Sequence, residues 1–358
     1  MRGAPRTAPA THDGGAHPDT APATRDGGAH PDTAPATHDG DAHPDTAPAT
    51  RDGGAHPDTA PAAHNGGAQA ERPPQMSHPV KGVDHVFLLV NDLDQSCDAY
   101  AALGFTISPR GMHSAHKGAA NHTIMLQTDY FELLGLIAAV PGNADRRQSL
   151  ADMGEGLHAI ACRIEDAHAA KAALADLGIA TEDVGSFSRP LPLPGGGEGM
   201  ASFDTLQFEP GIAPLGACFM CRHKTREMVW RPELMAHANG AVALGAIVAE
   251  TPDPDAAAAG YARLFAAGAV SAIPGGAALT TGADSAPILF MTPAALADAY
   301  PTDLSGLPRG AFAALRILTR DMDAARRAVG SAPIFDTAAG FAVAASAACG
   351  TIVEFAPA

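Results

Sequence analysis

The chain has 358 residues, 46% of them hydrophobic, a formal net charge of −16 and five cysteines. That length holds two ordinary domains. The acidic balance argues against a nucleic-acid or anionic-membrane partner, since both need basic surface. Few, scattered cysteines argue against a disulfide-stapled scaffold and fit a reduced, cytoplasmic compartment.

From Arg2 to His78 there is no Leu, Ile, Val, Phe, Tyr or Trp. A 13-residue unit that opens Thr11-His12-Asp13-Gly14-Gly15 recurs from Thr24, Thr37 and Thr50. Repeats without apolar positions cannot stack on one another, and nothing in them offsets ordering entropy. Residues 1–78 are therefore expected to be a disordered, solvated tail with no specific ligand, its spaced histidines binding metal weakly at most. The tail carries five Arg against ten Asp and Glu, which leaves about −11 on the remainder. No run approaches the ~20 apolar residues of a membrane span. The early arginines lead into no apolar stretch, so no secretory signal is expected.

From residue 80 the pattern changes. Residues 81–90 are rich in Val and Leu and read as a strand buried on both faces. Asn91-Asp92 offers a helix cap, residues 95–103 the helix, and Gly104 its end. Strands are expected at 105–108, 121–128 and 129–137. The order strand–helix–strand–strand–strand then returns. Strand 156–164 leads to helix 166–177 and strands 201–208 and 217–222. Strand 241–248 leads to helix 254–266, preceded by the cap-like Thr251, and strands 277–280 and 287–291. Strand 311–318 leads to helix 321–329 and strands 341–345 and 351–355. The expected fold class is α+β: four βαβββ modules behind a disordered tail. Each module leaves one apolar sheet face, so modules should pair, giving domains at 79–238 and 239–358.

His85 and Glu132 stand inside apolar strands at matching ends of the first module, and His158 opens the second module in the same way. A lone histidine there would satisfy itself on a backbone carbonyl, and a lone buried carboxylate would stay neutral. Three such residues at equivalent positions point instead to a shared divalent metal. Asp84 and His85 are not read as a dyad, because adjacent strand residues point apart. Cys218 and Cys221, three apart on a strand, should face opposite ways, which argues against a zinc knuckle or redox pair.

His113, His116 and His122 surround Gly118-Ala119-Ala120. This reads as a loop feeding a strand over a cleft, with Asn121 and His122 touching substrate and His113 and His116 solvated. Pro190 to Pro194, followed by three glycines, reads as a hairpin or lid. It lacks the lysine of a phosphate-binding loop, but Arg189 beside it can meet an anionic group. Trp230-Arg231-Pro232 and His237 are assigned to a connector between domains. No Ser-His-Asp arrangement stands out.

Val83-Asp84-His85-Val86, Asn121-His122 followed by Tyr130-Phe131-Glu132-Leu133, and Cys221-Arg222-His223 leading into Val229-Trp230-Arg231-Pro232-Glu233 resemble the vicinal oxygen chelate superfamily. That superfamily includes glyoxalase I, extradiol dioxygenases and fosfomycin-resistance proteins. The chain is most similar to its glyoxalase-like domain group. The resemblance covers about residues 80–250 well and the rest weakly.

It implies paired modules curled into a cleft, with a metal held by residues from their first and last strands. His85, Glu132 and His158 match ligand positions. The fourth position falls in 217–223, where the family often shows a carboxylate and this chain has none. Cys221 or His223 can fill it, and His223 is the ordinary choice for a metal. Counting back from the strand–helix junction puts Gly245 and Ala313 at the His85 position of the later modules. Glu354 matches Glu132 there but lacks histidine partners. The second domain thus reads as a structural copy.

The implied function is a metal-dependent glyoxalase-like enzyme that chelates two oxygens of a small substrate. Isomerase or lyase chemistry ranks ahead of dioxygenase chemistry. A non-catalytic protein of the same fold that binds or sequesters small molecules is the alternative. The implied cofactor is one divalent ion (Zn, Ni, Mn or Fe). The expected partner is a small-molecule substrate, without nucleic acid or membrane, in a cytoplasmic monomer or homodimer.

Overall fold

A computed structural model describes residues 77–193 and 196–358. The repeat segment and its histidines lie outside the described residues. The element order is a strand, a helix and three strands, four times over. First come β1 (Val83–Val90), α1 (Leu93–Ala102), β2 (Gly111–Met112), β3 (Ala119–Met125) and β4 (Tyr130–Leu136), followed by α2 (Ala144–Met153). Next are β5 (Gly156–Arg163), α3 (Ala167–Asp176), β6 (Gly185–Pro192), β7 (Glu198–Gln207) and β8 (Ala217–His223), with α4 (Arg226–Val229). The third set is β9 (Ala241–Glu250), α5 (Pro254–Ala262), β10 (Ala269–Ile273), β11 (Gly276–Thr280) and β12 (Ile288–Met291), then α6 (Pro293–Ala299). The last is β13 (Phe312–Thr319), α7 (Met322–Ala328), β14 (Ile334–Asp336), β15 (Phe341–Val343) and β16 (Ile352–Pro357).

Aspartate starts each set's helix. Asp92, Asp166, Asp253 and Asp321 accept backbone N–H groups of α1, α3, α5 and α7, a cap typically contributing about 1 kcal/mol. The expected cap at Thr251 is thus two residues early. Residues 105–108 form no strand; the one backbone–backbone bond from there to β3 is the Ser108 N–H donating to Thr123 O. Proline-rich β6 was not expected as a strand. It pairs along its whole length with β7 and lies at an edge, where a missing N–H costs little.

Within the first two sets, β1 pairs with β4 in parallel and with β5 antiparallel, and β5 pairs with β8 in parallel. The later sets repeat this with β13, β16, β9 and β12. One face of β1 (Val86, Leu88, Val90) joins a core that also contains α1, α3 and α5 residues and draws from both halves of the chain. Phe105 stacks on Phe355 at 5.9 Å, and the Tyr100 hydroxyl donates to Ala348 O. Burying each such ring contributes roughly 2–3 kcal/mol. The opposite face of β1 (His85, Phe87, Leu89) is turned toward a cleft. Among the described residues no helix is long and apolar enough to cross a membrane.

Candidate functional site

The site begins with a slip in strand register. Val83 pairs with Cys162 and His85 with Ala161, so Asp84 is an extra residue on β1. Such a bulge re-aims a side chain. It brings Asp84 and His85 together against the expectation from strict alternation. His85 Nδ1 lies 2.8 Å from Asp84 Oδ2, and His223 Nε2 lies 2.9 Å from the same oxygen. Arg163 Nε and Arg226 Nη1 stand 3.8 and 4.0 Å from Asp84 Oδ1. Burial alone would raise the Asp84 carboxyl, but the charges and hydrogen bonds of His223 and His85 hold it well below the usual carboxylate range. Asp84 is therefore an anion under a protein surface, with each oxygen facing positive or donating groups.

That anion fixes the His85 ring. Nδ1–H donates to Asp84, which leaves Nε2 as the nitrogen turned away from it. The ring lies flat on Tyr130, centroids 4.3 Å apart, because His85 and Tyr130 are register partners in β1 and β4. His223 sits among Phe203, Tyr130 and Trp230, and its Nδ1 is buried without a hydrogen-bond partner. Trp230 therefore packs on the site, where the sequence placed it in a connector. His237, assigned to the same connector, ties together two segments of residues 79–238, its Nδ1 accepting the Thr106 N–H and its Nε2 donating to Met125 O.

Single ligand atoms of Asp84, His85, Cys221 and His223 all lie within 4.8 Å of one another. One oxygen, two imidazole nitrogens and one sulfur suit a tetrahedral, zinc-type ion. This donor set fits a divalent metal. The Cys221 thiol would have to lose its proton to take part, and burial followed by the charges of Asp84 and Glu132 pushes that thiol up. Cys218 belongs to a different core cluster from Cys221, as their spacing requires.

Two of the four expected ligands, His85 and His223, stand in this group. Glu132 lines the cavity beside His85, but its Oε2 accepts from Asn121 Nδ2 at 2.5 Å. His158 stands apart. A second slip, with Phe87 opposite Ala159 and Leu88 opposite Leu157, leaves His158 unpaired. Ala159 takes the place next to Phe87, and His158 Nε2 donates to Gly154 O at 2.7 Å. His122 is the other correction. It alternates with Asn121 on β3, so its Nδ1 meets Ser108 O while Asn121 lines the cavity.

The cleft has an outer part of about 880 Å³, which His158 and His116 line, and an inner end of about 80 Å³, which His85, Asn121, Glu132 and Arg189 line. Phe87, Lys117, Arg146, Phe187 and Phe219 border both parts. His113, expected to be solvated, lines the inner end. Burial lowers its pKa to about 4, with Glu132 opposing and Arg189, Lys117 and Arg146 adding to the shift. Asp84, Lys117 and Arg146 were not singled out from sequence. A bulge leaves no pattern in one sequence, and α2, which carries Arg146, was not foreseen.

A curled sheet of paired βαβββ sets around a buried polar cleft is the fold of the vicinal oxygen chelate superfamily. The glyoxalase-like domain family matches residues 83–265, just over half of the chain, and the chain belongs to that family. A hypothetical protein from Staphylococcus aureus superimposes with a TM-score of 0.54 at 10% identity, over 77% of this chain and 99% of that one. Streptomyces coelicolor methylmalonyl-CoA epimerase, in complex with 2-nitronate-propionyl-CoA, is 21% identical over 40% of this chain and 96% of its own, with a TM-score of 0.31. At these identities the first likeness shows the fold alone, and the second carries no argument. No curated protein matches the chain.

Proposed function

We propose that the chain is an enzyme that moves a proton at a carbon next to a carbonyl or carboxyl group of a small, oxygen-bearing substrate in this cleft. The observation that carries it is the His85 ring at the inner end, its Nδ1 2.8 Å from buried Asp84. A base oriented by a buried carboxylate is a recurring arrangement for proton transfer. Asp84 sets the tautomer and stabilises the imidazolium as it forms. Glu132, across the same cavity and steadied by Asn121, returns or accepts the second proton. A divalent ion, such as zinc, nickel, manganese or iron, held by Asp84, His85, Cys221 and His223 would take the place of the Asp84–His85 hydrogen bond and polarise the substrate's oxygens as a Lewis acid, leaving the proton to Glu132. Isomerase or lyase chemistry follows from proton transfer more directly than dioxygenation does. Asn121 and Arg189 would orient substrate. Residues 79–238 would then be the working domain and 239–358 its structural partner, in the cytoplasm.

One observation favours the non-catalytic alternative: Asp84 already has two histidine partners, so the cluster stands without an ion. Proton exchange separates the two readings. Full-length protein is incubated in D2O with a panel of 2-oxo acids, 2-hydroxy acids and hydroxyketones, and C–H loss is followed by NMR. The expected result is exchange on at least one compound that falls by at least about 100-fold in His85→Ala. Metal content, compared between wild type and Cys221→Ser, should differ by one equivalent. Binding without exchange on any compound overturns the enzyme reading.

A further inference from the structure

The inner end of the cleft is positively charged in an acidic protein. Lys117, Arg146 and Arg189 reach it from the loop before β3, from α2 and from β6. Lys117 Nζ lies 3.9 Å over the Phe187 ring, and the Arg146 and Arg189 guanidinium carbons lie 5.9 Å from Phe87 and Phe203. Among the described residues none of the three has a carboxylate within ion-pair reach. By contrast Arg163, Arg222, Arg226 and Arg316 each stand beside one. Arg189 is only 7% exposed. An unpaired cation so deeply buried is costly unless an anion joins it. Glu132 is the one carboxylate lining this end, and it already serves Asn121.

A second, independent observation points the same way. Asn121 Oδ1 is buried with no donor, although its own amide nitrogen is engaged. A Cβ placed on Gly111 would run into both Arg189 Nη1 and Asn121 Oδ1, so a guanidinium nitrogen and an unpartnered acceptor border the same space over that glycine without bonding each other. Gly111 lies opposite Asn121 in the β2–β3 pair, which fixes this approach. A ligand that fills the space needs a negative group for the cations and an O–H for the acceptor. The inner end, about 80 Å³, takes those groups, and the outer part takes the body against phenylalanine walls.

We infer that the inner cleft recognises a small 2-hydroxycarboxylic acid with an apolar body, its carboxylate held by Arg189, Lys117 and Arg146 and its hydroxyl donating to Asn121 Oδ1. The inference gives the proposed enzyme its substrate class. It rests on the same cleft but not on the chemistry assigned to His85.

The test is calorimetric titration of the full chain with mandelate, mandelamide and phenylacetate. Mandelate should bind best. The neutral amide and the acid without a hydroxyl should each bind at least several-fold more weakly, the amide by about tenfold or more. Lys117→Gln and Arg189→Gln should each weaken mandelate by about tenfold and leave mandelamide unchanged. Gly111→Ala, which alters no charge, should weaken mandelate by crowding Arg189. Circular dichroism and unliganded melting confirm that each variant folds. Calorimetry reads binding without turnover, so a failed exchange experiment does not read as a failure here. Three results overturn the inference. One is equal affinity for mandelate and mandelamide. Another is wild-type mandelate binding in both charge variants. The third is no binding of mandelate, phenyllactate or 2-hydroxyisocaproate below about 10 mM.

Discussion

Glu132 and Glu354 occupy the same register position in the two halves of the chain, and their neighbours give them opposite fates. Glu132 lies beside Phe87 across β4 and β1, and Glu354 lies beside Arg316 across β16 and β13. In the first half the carboxylate takes one hydrogen bond, from Asn121, and lines a cavity. In the second half Arg316 Nε at 2.7 Å and the Tyr300 hydroxyl at 3.0 Å donate to Oε2, and the Thr337 hydroxyl donates to Oε1 at 2.6 Å. Two residues earlier the pairs are His85 with Tyr130 and Ala314 with Ile352, so the match to His85 is Ala314, one residue beyond the Ala313 expected from counting along the chain. The backbone supplies the same place twice. Whether it becomes a site depends on whether adjacent side chains use up the carboxylate's hydrogen-bonding capacity.

The largest expected effect tests the locked half. Glu354→Ala leaves Arg316 and Tyr300 without their acceptor and should cost about 3–5 kcal/mol in chemical denaturation. Pairing it with Arg316→Met should recover much of that loss, because removing both partners is far cheaper than removing one. A Glu354→Ala protein as stable as wild type would end the contrast. Next in size is Asp84→Asn. It removes the anion that faces two histidines and two arginines but keeps an oxygen for His85, so about 2–3 kcal/mol should be lost.

Much of this architecture was legible in sequence, and its exceptions have definite physical origins. The four strand–helix–three-strand sets showed because apolar strands, alanine-rich helices and glycine stops follow local rules. Edge strand β6 escaped because its prolines and serines carry no alternation, and tertiary pairing with β7 makes it a strand. His85 and Glu132 were visible as polar residues where apolar ones belong. Asp84 was dismissed by strict alternation, and His158 was admitted by its matching place at the start of the second module. Both judgements turn on one-residue register slips between β1 and β5, which are set by two strands together and are invisible in either one. The cations of the inner cleft come from three separate elements, so no local spacing announces them.

The contact between the halves provides a smaller, pH-dependent effect. Asp129, at the β3–β4 turn, accepts the Leu244 N–H of β9 at 3.1 Å. Burial lifts its pKa from 3.8 to about 7, although that hydrogen bond and Arg163 oppose the shift. A carboxyl raised on folding adds no penalty below its unfolded pKa. Its ionisation then weakens the native state progressively as pH rises from about 4 to about 7. Asp129→Asn keeps an acceptor for Leu244 and removes that penalty. It should stabilise the protein by roughly 1–3 kcal/mol at pH 8 and by almost nothing at pH 4. Equal effects at the two pH values would show that folding leaves the Asp129 pKa unchanged.

The smallest change in stability should come from Glu132→Gln, the counterpart of the most damaging substitution. Gln retains an oxygen for Asn121 Nδ2, and the group faces a cavity, so denaturation should shift by less than about 1 kcal/mol. Its effect on ligands should instead be clear and of two kinds. With the carboxylate gone, Lys117, Arg146 and Arg189 meet an anionic probe without local competition, and mandelate should bind a few-fold more tightly. Proton exchange should fall, because the second proton carrier is lost. An open carboxylate thus predicts near-constant stability, gained affinity and lost turnover from one atom-for-atom change. A Glu132→Gln protein that unfolds as readily as Glu354→Ala would mean that both halves lock their carboxylates, and the cleft would have no claim to be the working one.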